Sequence, residues 1–179
     1  MARASYVYGK STGNYGLTGS LYPIDVSGEL YNDPNAHTNM LGRDESERRH
    51  QIRVNASYRG PWGLMASTFI RWWSGQRYNR FVNSDDVDVD LEQGDWDVLA
   101  EARGSRGLPD QFLVDLRLEK AFALGDVRRV RLSADFFNLF NANTVTNVWW
   151  ISSNPDIEFG SPRDIRPPRQ VRFNVVLDF

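Results

Sequence analysis

Apolar and polar residues alternate with a period of two in six stretches of the chain: about Ala2 to Lys10, Arg49 to Arg59, Leu64 to Ser74, Gln111 to Phe122, Arg128 to Asn138 and Arg169 to Phe179. Successive side chains of a β-strand point to opposite faces, so this period predicts strands with two unlike sides. The second stretch sets Ile52, Val54, Ala56 and Tyr58 against Arg53, Asn55, Ser57 and Arg59. The third sets Leu64, Ala66, Thr68, Ile70 and Trp72 against Met65, Ser67, Phe69, Arg71 and Trp73. Phe112, Val114, Leu116 and Leu118 oppose Leu113, Asp115, Arg117 and Glu119 in the fourth, and Val130, Leu132, Ala134 and Phe136 oppose Arg131, Ser133, Asp135 and Phe137 in the fifth. In the sixth, Val171, Phe173, Val175, Leu177 and Phe179 oppose Gln170, Arg172, Asn174, Val176 and Asp178. The apolar faces are expected to carry no charge, whereas the opposite faces carry ten charged residues.

Each stretch is close to the ~9 to 11 residues with which a tilted strand crosses a bilayer. A soluble antiparallel sandwich alternates in the same way, with its apolar face in a core. The connections separate the two readings. Gly60-Pro61-Trp62-Gly63 and Ala123 to Val127 read as tight turns, while Ser11 to Arg48, Gly75 to Asp110 and Leu139 to Pro168 are long. Short turns on one side and long loops on the other are the pattern of outer-membrane barrels, whose long loops are extracellular. Tyr6, Tyr8, Tyr58, Trp62, Trp72, Phe122 and Phe179 lie near strand ends, where amphipathic rings sit at a membrane interface. The fold expected is therefore all-β: an antiparallel transmembrane β-barrel segment of about six strands, with long extracellular loops and short periplasmic turns. Asp115, Arg117, Glu119, Arg131, Asp135 and Arg172 are expected to form cross-strand pairs on the lumen side.

Composition changes this picture little. The mean hydropathy of -0.51 suits a soluble protein, but a membrane barrel shows lipid only every second residue, so period and not mean is the test. No apolar run reaches the roughly eighteen residues of a transmembrane helix. A net charge of -2 argues against a nucleic-acid binder. Cysteine is absent, which excludes disulfides, thiolate nucleophiles and zinc-thiolate sites.

Little in the chain suggests catalysis, and no enzyme activity or cofactor is expected. His37 and His50 are the only histidines, and no serine and carboxylate accompany either in a triad pattern; His50, at a strand start, is expected to make capping or loop contacts. Gly9-Lys10-Ser11 lacks the preceding glycine spacing of a phosphate loop. The acidic run Asp85 to Glu92 offers Asp86, Asp88 and Asp90 as weak calcium candidates, but counting from Asp86 puts Leu91 where glycine belongs and Asp97 where glutamate belongs. Its alternation predicts instead a strand extended beyond the membrane with an acidic face. Tyr78, Trp96, Trp149 and Trp150 are the loop candidates for substrate contact. For Trp149 and Trp150, packing of the loop onto its neighbours is the preferred alternative.

Arg131-Leu-Ser-Ala-Asp-Phe-Phe-Asn-Leu-Phe-Asn141, followed by Asn143-Thr-Val-Thr146, resembles the penultimate-strand motif of TonB-dependent receptors, in which a D-x-F-N-L-F-N run precedes the last extracellular loop. Pro167-Pro-Arg-Gln-Val-Arg-Phe173 with the terminal Phe179 resembles that family's last strand. Arg48 to Val54 and Trp73-Ser-Gly-Gln76 are similar to strands of its Oar-like, carboxypeptidase-regulatory-like branch. The resemblance implies a bacterial outer-membrane transporter with a plug inside a barrel of about twenty-two strands, energised through TonB. Residues 1–179 would be the C-terminal portion of that barrel, without plug or N-terminal strands, and Met1 an internal or truncated start. Expected partners are outer-membrane lipid, the remainder of the barrel and plug, TonB only through that missing plug, and no nucleic acid. Val171, Phe173, Val175, Leu177 and Phe179 also match the C-terminal signal read by the barrel-assembly machinery, for which an edge strand offers unpaired backbone.

Two other functions stay open on the sequence: a structural or adhesive outer-membrane barrel, and a soluble β-sandwich binding module. Six strands leave open edges, which hydrocarbon penalises by several kcal/mol per unpaired group. The chain alone is therefore expected not to conduct solute.

Overall fold

A computed structural model describes residues 1–14, 34–91, 94, 97–125, 127–150, 152 and 156–179. The fold is all-β, and among these residues no helix is long and apolar enough to cross a membrane. Six strands form one antiparallel sheet: β1 (Ala2–Tyr8), β2 (His50–Arg59), β3 (Leu64–Trp73), β4 (Gln111–Leu124), β5 (Arg128–Phe137) and β6 (Gln170–Asp178). Each pairs with the next in sequence, so the sheet is an up-and-down meander, open along β1 and β6.

The alternation fixes the register. One apolar row runs across all six strands through Ala2, Ala56, Thr68, Leu116, Phe136 and Val171, each opposite the next. The row Ile52, Trp72, Phe112 lies nearer the long connections, and Val130 faces Phe122 and Leu177 nearer the short turns. Two charges nonetheless share this face, contrary to the sequence expectation. Lys120 stands between Leu64 and Leu132, and Arg128 lies two residues before Val130. Both are near the turn end. Lys120 lays its stem along the sheet, puts its ammonium over Phe122 and donates to the Trp62 carbonyl, so the charge reaches the rim.

The turn between β2 and β3 is tight because Trp62 (φ 59°) and Gly63 (φ 72°) both take left-handed backbone, and the Gly60 amide donates to the Leu64 carbonyl at 2.8 Å. The β4–β5 turn places Gly125 at φ 80°. Among the described residues, the long connections carry paired ribbons. Thr12–Gly13 pairs with Gly42–Arg43, Arg77–Tyr78 with Arg106–Gly107, Phe81–Asn83 with Asp97–Leu99, and Val145–Val148 with Pro162–Ile165. These ribbons hold much of the buried core: Phe81, Val82, Leu91, Val98, Leu99, Val148 and Trp150.

The strand expected over the acidic run does not form. Ser84–Val87 is a 3-10 turn, capped by Asn83 Oδ1, which accepts from the Asp85 amide at 3.0 Å, and ended by Asp88 in left-handed backbone. Asn and Asp side chains satisfy local amides and tolerate that conformation, so turn chemistry outweighs the period of two. Leu91 then packs with Val82 and Val98, and Val89 lies against them.

Glycine lets the first and second connections cross. A Cβ on Gly42 would run into the Arg103 carbonyl, and Gly104, at φ 64°, approaches the Arg43 carbonyl as closely. Gly42→Ala is expected to destabilise this crossing by about 1–3 kcal/mol. Hydrogen exchange at the Arg43 amide, which donates to the Arg103 carbonyl at 3.1 Å, should accelerate while the amides of β3 and β4 keep their protection; unchanged exchange at Arg43 would refute the crossing.

Candidate functional site

The polar face of the sheet gathers the charges that alternation predicts. Arg117 on β4, Asp135 on β5 and Arg172 on β6 are register partners, and Asp135 accepts from Arg117 at 3.2 Å and from Arg172 at 2.9 Å. Asn174 adds a third donor to the same carboxylate at 2.9 Å. Asp115 takes Arg71 of β3 at 2.7 Å, Glu119 takes Arg117 at 3.0 Å, and Asp178 holds Arg131 through two nitrogens at 3.0 and 3.1 Å. Each carboxylate on this face of β4 to β6 therefore has a guanidinium. A carboxylate occupied by a charge-assisted pair suits a wall rather than a nucleophile or base. A hollow of about 330 Å³ opens here between Arg3, Asn55, Ser67, Asp115, Arg117 and Asp135.

Much of the opposite face is bare, although Val114 is buried and Phe112 stacks on Phe140. Tyr58 and Val175 are each 66% exposed and Phe173 78%. Leu64, Leu118, Phe122, Leu132, Val171 and Leu177 are exposed too. Among the described residues no second sheet packs over it.

The run Asp135 to Asn141 ties the end of β5 to the start of β6. Asn138 and Asn141 both take left-handed backbone, φ 52° and 54°. The Asn138 amide donates to Asp115 at 2.9 Å, and its side chain donates to the Ala142 and Pro167 carbonyls at 2.9 Å and accepts from the Ala142 amide at 2.8 Å. Asn141 Oδ1 accepts from the Arg169 amide at 2.9 Å. Asparagine is required twice because it both bends the backbone and replaces the lost ladder bonds.

Above the sheet, a buried polar knot joins the connections. Glu45 and Arg103, 1% and 3% exposed, pair at 2.9 Å. Asn79 donates to Glu45 and accepts from the Gly104 amide at 2.7 Å. The third connection joins through Phe81, whose amide donates to the Trp150 carbonyl at 3.0 Å and whose carbonyl accepts from the Ser152 amide at 2.9 Å. The sequence reading missed Glu45, Asn79 and Arg103, since nothing local distinguishes a buried charge in a polar stretch from a solvated one.

The loop candidates separate. Trp150 is buried, edge-on to Phe81 with centroids 5.3 Å apart, so it packs the loop, the alternative preferred for it over substrate contact. Trp149 is 37% exposed beneath Arg163, and Tyr78 is half-buried beside Phe159. Trp96 lies outside the described residues. Asp86, Asp88 and Asp90 are not gathered with a further ligand: among the described residues no cluster of three metal-binding side chains forms. His50 opens β2 with its ring against Tyr6, Tyr8 and Trp72, and its Nδ1 lies 2.9 Å from the Tyr6 hydroxyl. Val171, Phe173, Val175, Leu177 and Phe179 line one exposed side at the sheet edge.

Glu47 is buried where the first connection returns to the sheet. It accepts from the Ser11 amide at 2.7 Å, from Arg43 Nε at 2.6 Å and from Arg49 at 3.0 Å. Burial alone would raise its pKa, but the Ser11 amide, Arg43 and Arg49 together hold it below the ordinary carboxylate value of 4.5. A depressed folded pKa means that the stabilisation is complete above the unfolded value and fades as pH falls through the folded one. The protection factor of the Ser11 amide is therefore expected to be flat from neutral pH to about pH 5 and to drop at more acid pH, with Glu47→Gln abolishing the pH dependence; a drop that survives Glu47→Gln would assign it elsewhere.

No protein-family model matches the chain, and no curated protein or solved structure matches it either.

Proposed function

We propose that the chain is the C-terminal portion of the β-barrel of an outer-membrane, TonB-dependent active transporter, which takes up a large or scarce solute and is not competent without its plug and remaining strands. The observation that carries the membrane part is the pair of unlike sheet faces: one apolar and largely uncovered, the other lined by arginine-carboxylate pairs. Contiguous apolar surface of this extent marks contact with lipid or another protein. A soluble sandwich would bury it under a second sheet, and none of the described residues does so. Charges on the other face find partners there, as charges in a barrel lumen must.

The arrangement of connections agrees with this reading. Both tight turns lie at one end of the meander, and the three long, ribbon-forming connections lie at the other. In a barrel, the first end is periplasmic and the second extracellular. β6 is an edge, with one side paired to β5 and the other free to add a strand. That edge and its row of Val171, Phe173, Val175, Leu177 and Phe179 suit recognition by the barrel-assembly machinery. The assignment to the TonB-dependent family rests on the resemblance of the Arg131 to Asn141 and Pro167 to Phe179 motifs. The Asn138 clasp gives the first of these a physical role, joining the last two strands at the rim.

Adjacent positions on β6 provide the test. Phe173→Arg places a charge in the apolar row opposite Ala134, and is expected to weaken insertion into lipid vesicles by about 2–4 kcal/mol, the cost at a bilayer midplane. Asn174→Arg, one residue on and facing the charged side, is expected to insert nearly as well as the parent chain. Recovery of the parent chain in buffer without detergent, or an equal effect of the two substitutions, would exclude the membrane reading. Sequence upstream of Met1 that encodes a plug with a TonB box distinguishes an energised transporter from a structural or adhesive barrel.

A further inference from the structure

Trp73, at the end of β3 on the charged side of the sheet, lies where all three long connections meet. Two guanidiniums lie over its indole, Arg48 Cζ at 5.4 Å and Arg166 Cζ at 5.0 Å from the ring centroid. Arg48 comes from the end of the first connection and donates to Gln76 Oε1 of the second at 3.1 Å. Arg166 comes from the third and donates through Nε to Gln111 Oε1 at 2.8 Å. Gln111 is itself fixed, since its amide nitrogen donates to the Pro109 and Val145 carbonyls at 3.1 and 3.0 Å.

The charges in this cluster do not balance. Neither Arg48 nor Arg166 has an ion-pair partner among the described residues. Their remaining N–H groups have no protein acceptor among those residues either. Two acids stand apart from the cluster: Asp115 pairs with Arg71, and Asp110, which accepts from the Gly75 amide at 2.9 Å, lines a separate hollow with Arg43, Arg49 and Arg77. Two further donors, the Trp73 indole N–H and the Nε–H of the Arg71 guanidinium, are buried without an acceptor. Burial lowers the pKa of Arg48, and burial followed by the charges of Arg48 and Arg71 lowers that of Arg166. Buried donors are ordinarily satisfied, and two partly buried guanidiniums over one ring repel each other unless an anion lies between them.

We propose that Arg48, Arg166 and Trp73 form a binding site for an oxyanion, the carboxylate or phosphate group of a small ligand. A hollow of about 20 Å³ is walled by Arg48, Trp73, Gln76, Gln111, Thr146 and Arg166, with Leu108 as its one aliphatic side. That is room for about one water-sized group, so it accepts an oxygen of the anionic group while the body of the ligand stays outside. Stacking on the indole and the bonds to Gln76 and Gln111 hold both guanidiniums before the anion arrives, so little side-chain freedom is lost on binding. The site depends on the junction of the connections and not on whether the sheet lies in a membrane.

The full chain, in whichever buffer or detergent keeps it monodisperse, is to be titrated calorimetrically with inorganic phosphate and with acetate at constant ionic strength against a chloride blank. Saturable binding of at least one of the two is expected. Arg48→Gln and Arg166→Gln should each weaken it roughly tenfold or more, the factor for losing a charge-assisted hydrogen bond. Arg131→Gln, whose guanidinium is already held by Asp178, should leave it unchanged. No saturation above the chloride blank, or equal affinity in all four proteins, overturns the proposal. Should either glutamine variant fail to fold, Arg48→Lys and Arg166→Lys decide, since each keeps the charge and loses the planar guanidinium fork: a several-fold loss supports the site and unchanged affinity in both overturns it.

Discussion

Antiparallel register is the constraint from which the rest of this molecule follows. A strand shows each side chain to one face only, so a slip of one residue exchanges the faces along its whole length. Sliding β4 by one position against β3 would turn Asp115 and Arg117 onto the apolar side, part Arg71 from its carboxylate and break the row through Thr68, Leu116 and Phe136. Local devices hold the register at both ends. Left-handed Trp62 and Gly63 fix β2 against β3 at the short-turn end, and the Asn138 clasp fixes β5 and β6 at the other.

With the register set, the two faces acquire opposite chemistry by different means. The apolar face is additive: each Val, Leu, Ile or Phe contributes its own area, and the few exceptions can be absorbed near the rim, as Lys120 is by reaching the Trp62 carbonyl. The charged face is pairwise. Asp135 is supported by one strand on each side, Arg117 from β4 and Arg172 from β6, so its environment exists only when three strands are assembled. Cross-strand pairs of this kind contribute roughly 0.2–1 kcal/mol each. Their larger effect is on specificity, because a wrong register leaves a carboxylate facing apolar neighbours.

The long connections add a third level of organisation. They contain their own ribbons, their own core around Phe81, Leu99 and Trp150, and the buried Glu45–Arg103 pair that links the first connection to the second. A buried pair gains little net stability over apolar packing, but removing one partner strands the other, so it commits the two connections to a single arrangement. Trp73 lies beneath that arrangement, where Arg48, Gln76 and Arg166 arrive from three separate segments. A junction so fixed can hold guanidiniums ready for an anion, which an independent loop could not do at the same entropic cost.

The six strands, their unlike faces and the positions of the tight turns were legible in the sequence because each is a local property: period two along a strand, and Gly or Asn where the backbone must turn left-handed. The strand ends agree with the alternation to within about two residues, β4 alone running on to Leu124. Local reasoning failed where two local signals competed. The acidic alternation after Asn83 gave way to a capped 3-10 turn. It also had no access to contacts made across the chain. That Trp150 would be buried against Phe81, that Glu45 would meet Arg103 from 58 residues away, and that Arg48 and Arg166 would share one indole were decided only by tertiary structure. An isolated arginine reads the same whether water, a carboxylate or a ring lies beside it, and only the folded chain supplies the neighbour.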